Sequence, residues 1–174
     1  MGRYATDPGG GDFTPAPLGT HVARCYKIVD LGTQHDEYQG KPIIRSRIIV
    51  FFELPNEPVE TDEGLRPAIT SKFYTNSLHE KADLRQDLEA WRGKQFSEEE
   101  LNRFDLQNII GRSCMVTIVK KESGKHRIAA VTGLPKGAQC PAQVNESFAF
   151  WLDEWDPAKF EKLSDGLQKM IRNS

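Results

Sequence analysis

Cysteine is scarce: Cys25, Cys114 and Cys140 are the three in 174 residues, an odd number with no CxxC spacing. A disulfide framework is therefore not expected, and a reducing, cytoplasmic setting is. Long apolar runs are missing too. The longest, residues 48–52, is strand-sized, against the roughly 18 apolar residues a membrane-spanning helix needs. The opening MGRYATDPGGGDF lacks the apolar stretch of a signal peptide. A soluble protein with no membrane partner is the expectation. Charge of one sign is lacking as well: 23 Lys and Arg stand against 25 Asp and Glu. No global basic field advertises nucleic acid, and the chain is not acidic enough to mimic one, so electrostatic recognition must be local.

Catalytic signatures are absent from the sequence. His21, His35, His79 and His126 are scattered, and no HExxH, Cys/His ligand spacing, GxSxG or Walker loop occurs. The triple glycine at residues 9–11 has no strand before it and no helix after it. The histidines read as surface or packing residues, and Cys25 and Cys114 as core. No enzyme activity, metal or cofactor is expected.

What is present is enough apolar residue, 38% with 9% aromatic, to fill the core of one domain with extensions. Residues 1–17, rich in Gly and Pro, read as a flexible arm. Residues 18–138 read as the domain, and residues 139–174 as a C-terminal extension. A first strand over residues 21–31 stops at Gly32, and its imperfect alternation predicts a bulge or strong coiling. A polar loop at 33–40 carries Tyr38. A second strand follows at 43–54, then an acidic loop at 57–64 with Glu57, Glu60, Asp62 and Glu63, and a third strand at 68–75.

Ser77 and Glu80 have the spacing of a capping box, which predicts a helix through Leu78, Ala82, Leu84, Leu88 and Trp91, closed by Gly93. A second box, Ser97 with Glu100, predicts a shorter helix to about Phe104. Strands at 112–121 and 126–134 flank the tight turn at 122–125. Three strands, a helical insertion and two strands make the order of a five-stranded OB-fold barrel, so the expected class is mainly β with that insertion between strands three and four. Beyond it, Asp156-Pro157 starts a terminal helix whose Phe160, Leu163, Leu167, Met170 and Ile171 form an apolar stripe. The segment 148–156, with Phe148, Phe150, Trp151 and Trp155, has two readings. It buries its rings against the barrel, or it docks partner proteins and fills the ligand groove when that is empty.

Binding to single strands needs cations for phosphates and exposed rings for bases. Residues 112–136 carry Arg112, Lys120, Lys121, Lys125, Arg127 and Lys136 against a single acid, Glu122. In the second strand Arg45, Arg47, Ile49 and Phe51 share one face, with Ser46, Ile48, Val50 and Phe52 on the core side. Lys72 and Tyr74 share a side of the third strand, opposite Ser71 and Phe73, and Arg24 and Tyr26 share one in the first. The candidate DNA-binding set is therefore Arg24, Tyr26, Arg45, Arg47, Phe51, Lys72, Tyr74, Lys120, Lys121, Lys125 and Arg127. Tyr26, Tyr74 and Phe51 would stack on bases.

Several runs carry a family likeness: Tyr26-Lys-Ile-Val-Asp-Leu-Gly-Thr-Gln34, Phe51-Phe-Glu-Leu-Pro55, Tyr74-Thr-Asn-Ser-Leu-His-Glu-Lys81, Leu84-Arg-Gln-Asp-Leu-Glu-Ala-Trp-Arg-Gly93 and Phe104-Asp-Leu-Gln-Asn-Ile-Ile-Gly111. Over roughly residues 15 to 138, the chain resembles a family of phage-encoded OB-fold single-stranded DNA-binding proteins. The resemblance implies a non-enzymatic, largely sequence-independent binder acting in phage DNA replication or recombination, in the host cytoplasm, beside phage or host replication proteins. Its ending, Met170-Ile-Arg-Asn-Ser174, departs from the acidic, apolar tip through which bacterial single-strand binders recruit partners. That mode of recruitment is not expected here. The alternative function is a phage protein-interaction module that inhibits a host nuclease or defence complex. A nuclease is a weaker rival, because no carboxylate or histidine motif supports one.

Overall fold

A computed structural model describes residues 15–174. The β-branched and aromatic residues of the first half form a meander of three long strands, β1 (Gly19–Tyr38), β2 (Lys41–Thr61) and β3 (Gly64–Thr75). Successive positive φ angles at Gln39 (51°) and Gly40 (79°) make the β1–β2 turn, the geometry whose twist matches that of the flanking strands. The expected loop at 33–40 is therefore mostly strand. So is the acidic stretch, where the β2–β3 ladder runs on from Pro58 opposite Pro67 to Thr61 opposite Gly64.

After β3 come α1 (Asp83–Arg92), α2 (Glu98–Asn102) and a 3-10 turn at Leu106–Ile109. Strands β4 (Ser113–Lys120) and β5 (His126–Thr132) follow, then β6 (Phe148–Phe150), a second 3-10 turn at Leu152–Glu154, α3 (Pro157–Glu161) and α4 (Asp165–Arg172). The sheet order is β3-β2-β1-β4-β5, antiparallel throughout, and β6 adds a sixth strand parallel to β1. The chain is thus mainly β with a few short helices. β3 and β5 approach each other, but no ladder joins them among the described residues, and the sheet is not closed.

Two cores result. Ile28, Ile48, Val50, Phe52 and Leu54 point inward with Leu84 and Leu88 of α1 and Val116, Ile118, Ile128 and Val131 of β4 and β5. On the other face Val29, Leu31 and Ile49 pack against Phe150, Leu163, Leu167 and Ile171 of the C-terminal extension. The irregular alternation of β1 comes from two register shifts, between Cys25 and Lys27 and between Asp30 and Gly32. Tyr26 is the extra residue at the first, so Cys25 and Tyr26 are both buried.

Two carboxylates pin the extension. Glu53, fully buried, accepts from the amides of Val144 (2.9 Å) and Asn145 (2.8 Å) and from Asn145 Nδ2 (2.9 Å). Asp30 accepts from Gly32 N (3.0 Å) and Leu152 N (3.1 Å). Gly32 is itself required: its φ is +69°, and a Cβ there would lie 2.7 Å from Leu152 Cδ1.

The helix signals divide. Ser97 and Glu100 form the expected capping box of α2, Gly93 closes α1 at φ 72°, and Asp156 caps α3 ahead of Pro157. Ser77 caps nothing. Its hydroxyl accepts from the His79 amide two residues on, a local turn that competes with helix initiation, and α1 begins only after Ala82. The terminal helix is broken in two, because Ser164 caps a new start at α4. Residues 1–14 of the expected arm lie outside the described residues. Its end is tied down: Ala16 is buried, and its carbonyl accepts from His126 Nδ1 at 2.6 Å.

These caps give a paired prediction. Ser97→Ala lowers unfolding free energy by about 1 kcal/mol, whereas Ser77→Ala stays within about 0.5 kcal/mol of the parent. Urea denaturation of the two variants measures the difference.

Candidate nucleic-acid interface

The C-terminal extension covers the outer face of β1 and β2 at Val29, Leu31 and Ile49 and leaves one end bare. There the end of β1, the start of β2 and the end of β3 line a groove of about 500 Å³ with the segment that leads into α1. Tyr38 is 55% exposed and Phe73 43%. Each ring carries a guanidinium: Arg45 Cζ lies 5.7 Å from the Tyr38 centroid, and Arg47 Cζ 5.7 Å from that of Phe73. Ser77, His79, Lys81 and the acidic Asp83 also line the groove.

Asp36 shares its carboxylate between the two arginines, 3.9 Å from Arg45 and 3.7 Å from Arg47. Pairs this long and this exposed contribute about 0–1 kcal/mol, so both arginines remain available to an external anion. Arg47 Nε is buried without a partner among the described residues. The groove thus offers two ring faces beside cations, the chemistry that stacks a base and neutralises its phosphate.

Of the eleven residues expected from sequence, Arg45, Arg47 and the buried Tyr74 line this groove. Tyr26 and Tyr74 are corrected: they are 8% and 3% exposed and sit in the interior, with no free face for a base. Tyr26 packs beside Phe51, ring centroids 6.2 Å apart, and near the buried Glu53. Tyr74 belongs to the inner core, where its hydroxyl donates to Asp87 Oδ2 at 2.6 Å. Lys72 is corrected with it, because its ammonium donates to the same oxygen at 2.8 Å. Arg24 is structural, donating to the carbonyls of Gly111 (2.7 Å) and Pro141 (3.0 Å) and so clamping the chain before and after β4 and β5. Phe51 is half-buried against the second core, and Lys27 Nζ sits 4.7 Å over its ring and 5.3 Å from Phe148. Burial lowers the Lys27 pKa below its usual value.

Lys120, Lys121, Lys125 and Arg127 are exposed on the β4–β5 hairpin, but at the other end of β1. Ile118 pairs with Gly19, whereas Arg45 and Arg47 pair with Gln34 and Gly32. Tyr38 and Phe73 escaped the sequence reading. Tyr38 ends strand β1 rather than lying in the expected loop, and Phe73 is exposed on the side of β3 opposite Lys72 and Tyr74. The signal for Phe73 was the row Leu65, Ile69, Phe73, large apolar residues four apart and hence on one exposed face of β3.

Among the described residues no group of three or more His, Cys, Asp or Glu is placed to hold a metal ion, and no helix is long and apolar enough to cross a membrane.

The buried tyrosines give an alkaline prediction. Burial pushes the Tyr26 hydroxyl up to about 12, helped by the Glu53 charge. Burial and the Asp87 carboxylate raise Tyr74 further. A folded-state pKa above the unfolded value near 10 adds stability that is whole below pH 10 and is lost as pH rises beyond it. In a spectrophotometric titration Tyr26 and Tyr74 ionise only with loss of the folded circular-dichroism signal. Ionisation of all tyrosines near pH 10 in the folded protein would contradict the burial.

Comparison with known protein families and with curated proteins finds nothing that matches this chain, so the reading of the groove rests on its own chemistry.

Proposed function

We propose that this chain is a non-enzymatic binder of single-stranded DNA, with little sequence preference, and that the strand lies over the Tyr38–Phe73 end of the sheet. The observation that carries the reading is the pair of exposed rings, each beside an arginine, on a surface the C-terminal extension leaves bare. The fold supports it. The order β3-β2-β1-β4-β5, helices between β3 and β4, and the approach of β3 to β5 fit a partly open OB-type barrel. The resemblance to phage-encoded single-strand binders adds a setting, phage replication or recombination in the host cytoplasm. The hairpin cations Lys120, Lys121, Lys125 and Arg127 would hold phosphates at the other end of β1.

Rings stack on bases of any sequence at about 1–3 kcal/mol each. Phe73→Ala and Tyr38→Ala therefore each weaken binding to an oligothymidine by about 5- to 150-fold, while Tyr74→Phe leaves it unchanged. Affinity falls with salt, by about 0.7 log units per log unit of salt for each phosphate neutralised. Fluorescence anisotropy at two ionic strengths reads both. Equal affinity across the three variants, or binding indifferent to salt, would overturn the proposal.

One observation favours a second reading. Leu65 (68% exposed) and Ile69 (46%) continue the Phe73 row along β3, the last strand of the sheet order, and an apolar row on such a strand suits a protein partner. Leu65→Ser/Ile69→Ser separates the two: it spares DNA binding and abolishes docking of a partner.

A further inference from the structure

A second groove, of about 660 Å³, lies where the end of α1 meets the 3-10 turn at Leu106–Ile109 and the start of β4. Trp91, Arg92, Lys94, Phe104, Asn108 and Arg112 form its polar and aromatic lining, and no carboxylate lines it. Arg92 is fixed in place. Its Nη2 donates to Glu100 Oε2 at 2.6 Å, and its guanidinium lies 4.5 Å from the Phe96 centroid and 5.7 Å from that of Phe104. Its Nη1 is buried with no partner among the described residues. Lys94 and Arg112 are exposed and make no ion pair among the described residues.

A helix C-terminus attracts cations by its dipole, and that accounts for Arg92 at the end of α1. It does not account for Arg112, which precedes β4 and whose Nε is held by the Asn108 carbonyl at 3.2 Å. Two of the terminal carbonyls of α1 are also already taken: Gly93 N donates to Glu89 O at 2.9 Å and Gly133 N to Ala90 O at 3.2 Å. Three cations therefore converge on a cavity lined by no carboxylate among the described residues, and the nearby Glu100 and Glu89 both act on Arg92. The Phe104 and Trp91 side chains form its apolar wall.

We propose that this groove is a phosphate subsite for a nucleotide. It takes either the 5′-phosphate of a free mononucleotide or one phosphodiester of a nucleic-acid strand. Lys94 and Arg112 hold the phosphate oxygens, Arg92 Nη1 is a preplaced donor, and the attached nucleoside rests against the Phe104 side of the wall. The inference goes beyond the strand-binding surface, because it uses neither Tyr38 nor Phe73. Geometry does link the two. Ala82 and Asp83 border the first groove and Arg92 the second, so the ten residues of α1 set them about 15 Å apart.

The test is a ¹H–¹⁵N NMR titration of the full chain with 5′-dTMP, thymidine and inorganic phosphate. With 5′-dTMP, the amides of Lys94, Asn108 and Arg112 shift and saturate in the millimolar range or below, and thymidine leaves them unmoved. Lys94→Ala/Arg112→Ala weakens the response at least about tenfold with a spectrum that stays dispersed, and Phe73→Ala does not change it. Inorganic phosphate matching 5′-dTMP supports the phosphate subsite with the anion as the whole ligand, and a weaker response assigns the rest of the affinity to the nucleoside. An oligothymidine that displaces 5′-dTMP identifies the phosphodiester as an occupant; one that does not identifies the free nucleotide. No saturation, equal shifts with thymidine, or an unchanged response in the double variant overturns the proposal. Because the readout is at Lys94, Asn108 and Arg112, failure here is distinct from failure of binding at Phe73.

Discussion

A strand pair that is apolar on both faces needs a layer against each, and β1 with β2 is such a pair. Ile28, Ile48, Val50 and Phe52 look one way, and Val29, Leu31 and Ile49 the other. Each such side chain, moved out of water, contributes about 1.5–3 kcal/mol. Leaving the second set bare would make an adhesive sheet surface. The extension supplies the second layer through Phe150, Leu163, Leu167 and Ile171. Its placement is polar as well as apolar: Glu53 takes the amides of Val144 and Asn145, and Asp30 that of Leu152. A buried and a half-buried carboxylate that accept from backbone donors fix a register that apolar contact alone leaves loose. What the extension covers, and where it stops, decides which part of the sheet can meet a ligand.

The same constraint sorts residues of one type into different work. Arg24, Lys72 and Arg92 are drawn into carbonyls or carboxylates that hold chain segments together, whereas Arg45 and Arg47 share one distant aspartate. Tyr26 and Tyr74 carry hydroxyls into the interior, where burial keeps them protonated. Tyr38, past the edge of the covering layer, keeps its ring in water. Composition cannot make that distinction, because it depends on which face a side chain occupies and on what lies over that face.

Order was legible, and facing was not. The sequence of three strands, helices and two strands, the Ser97 box, the Gly93 stop, the 122–125 turn and the Asp156-Pro157 start all depend on neighbours within a few residues. They appear where local rules put them. Side-chain direction in a strand has period two, so one extra residue reverses every later assignment. The irregular pattern of residues 21–31 announces a bulge but not its position at Tyr26, nor that the extension covers the neighbouring Phe51 and Glu53. Ser77 departs from expectation for another reason: its hydroxyl accepts from the His79 amide, and the local turn replaces the helix start. The split of the site into two ends of β1 was beyond any local rule. It follows from β1 pairing with β4 at its start and with β2 beyond Arg24.

Helix α1 ties these parts together. Asp87 receives Tyr74 Oη and Lys72 Nζ of β3, so the middle of the helix is hydrogen-bonded to the strand that presents Phe73. One turn on, Trp91 Nε1 donates to Ser113 O at 2.8 Å. Gly133 is glycine because any Cβ would come within 2.8 Å of Trp91 O. The helix is thereby fixed to β3 near one end and to β4 and the end of β5 at the other. Ala82 and Asp83 bound the first groove while Arg92 bounds the second. Tyr74 and Lys72, expected from sequence to face a ligand, instead join Asp87 in holding the element that borders both candidate surfaces and sets the distance between them.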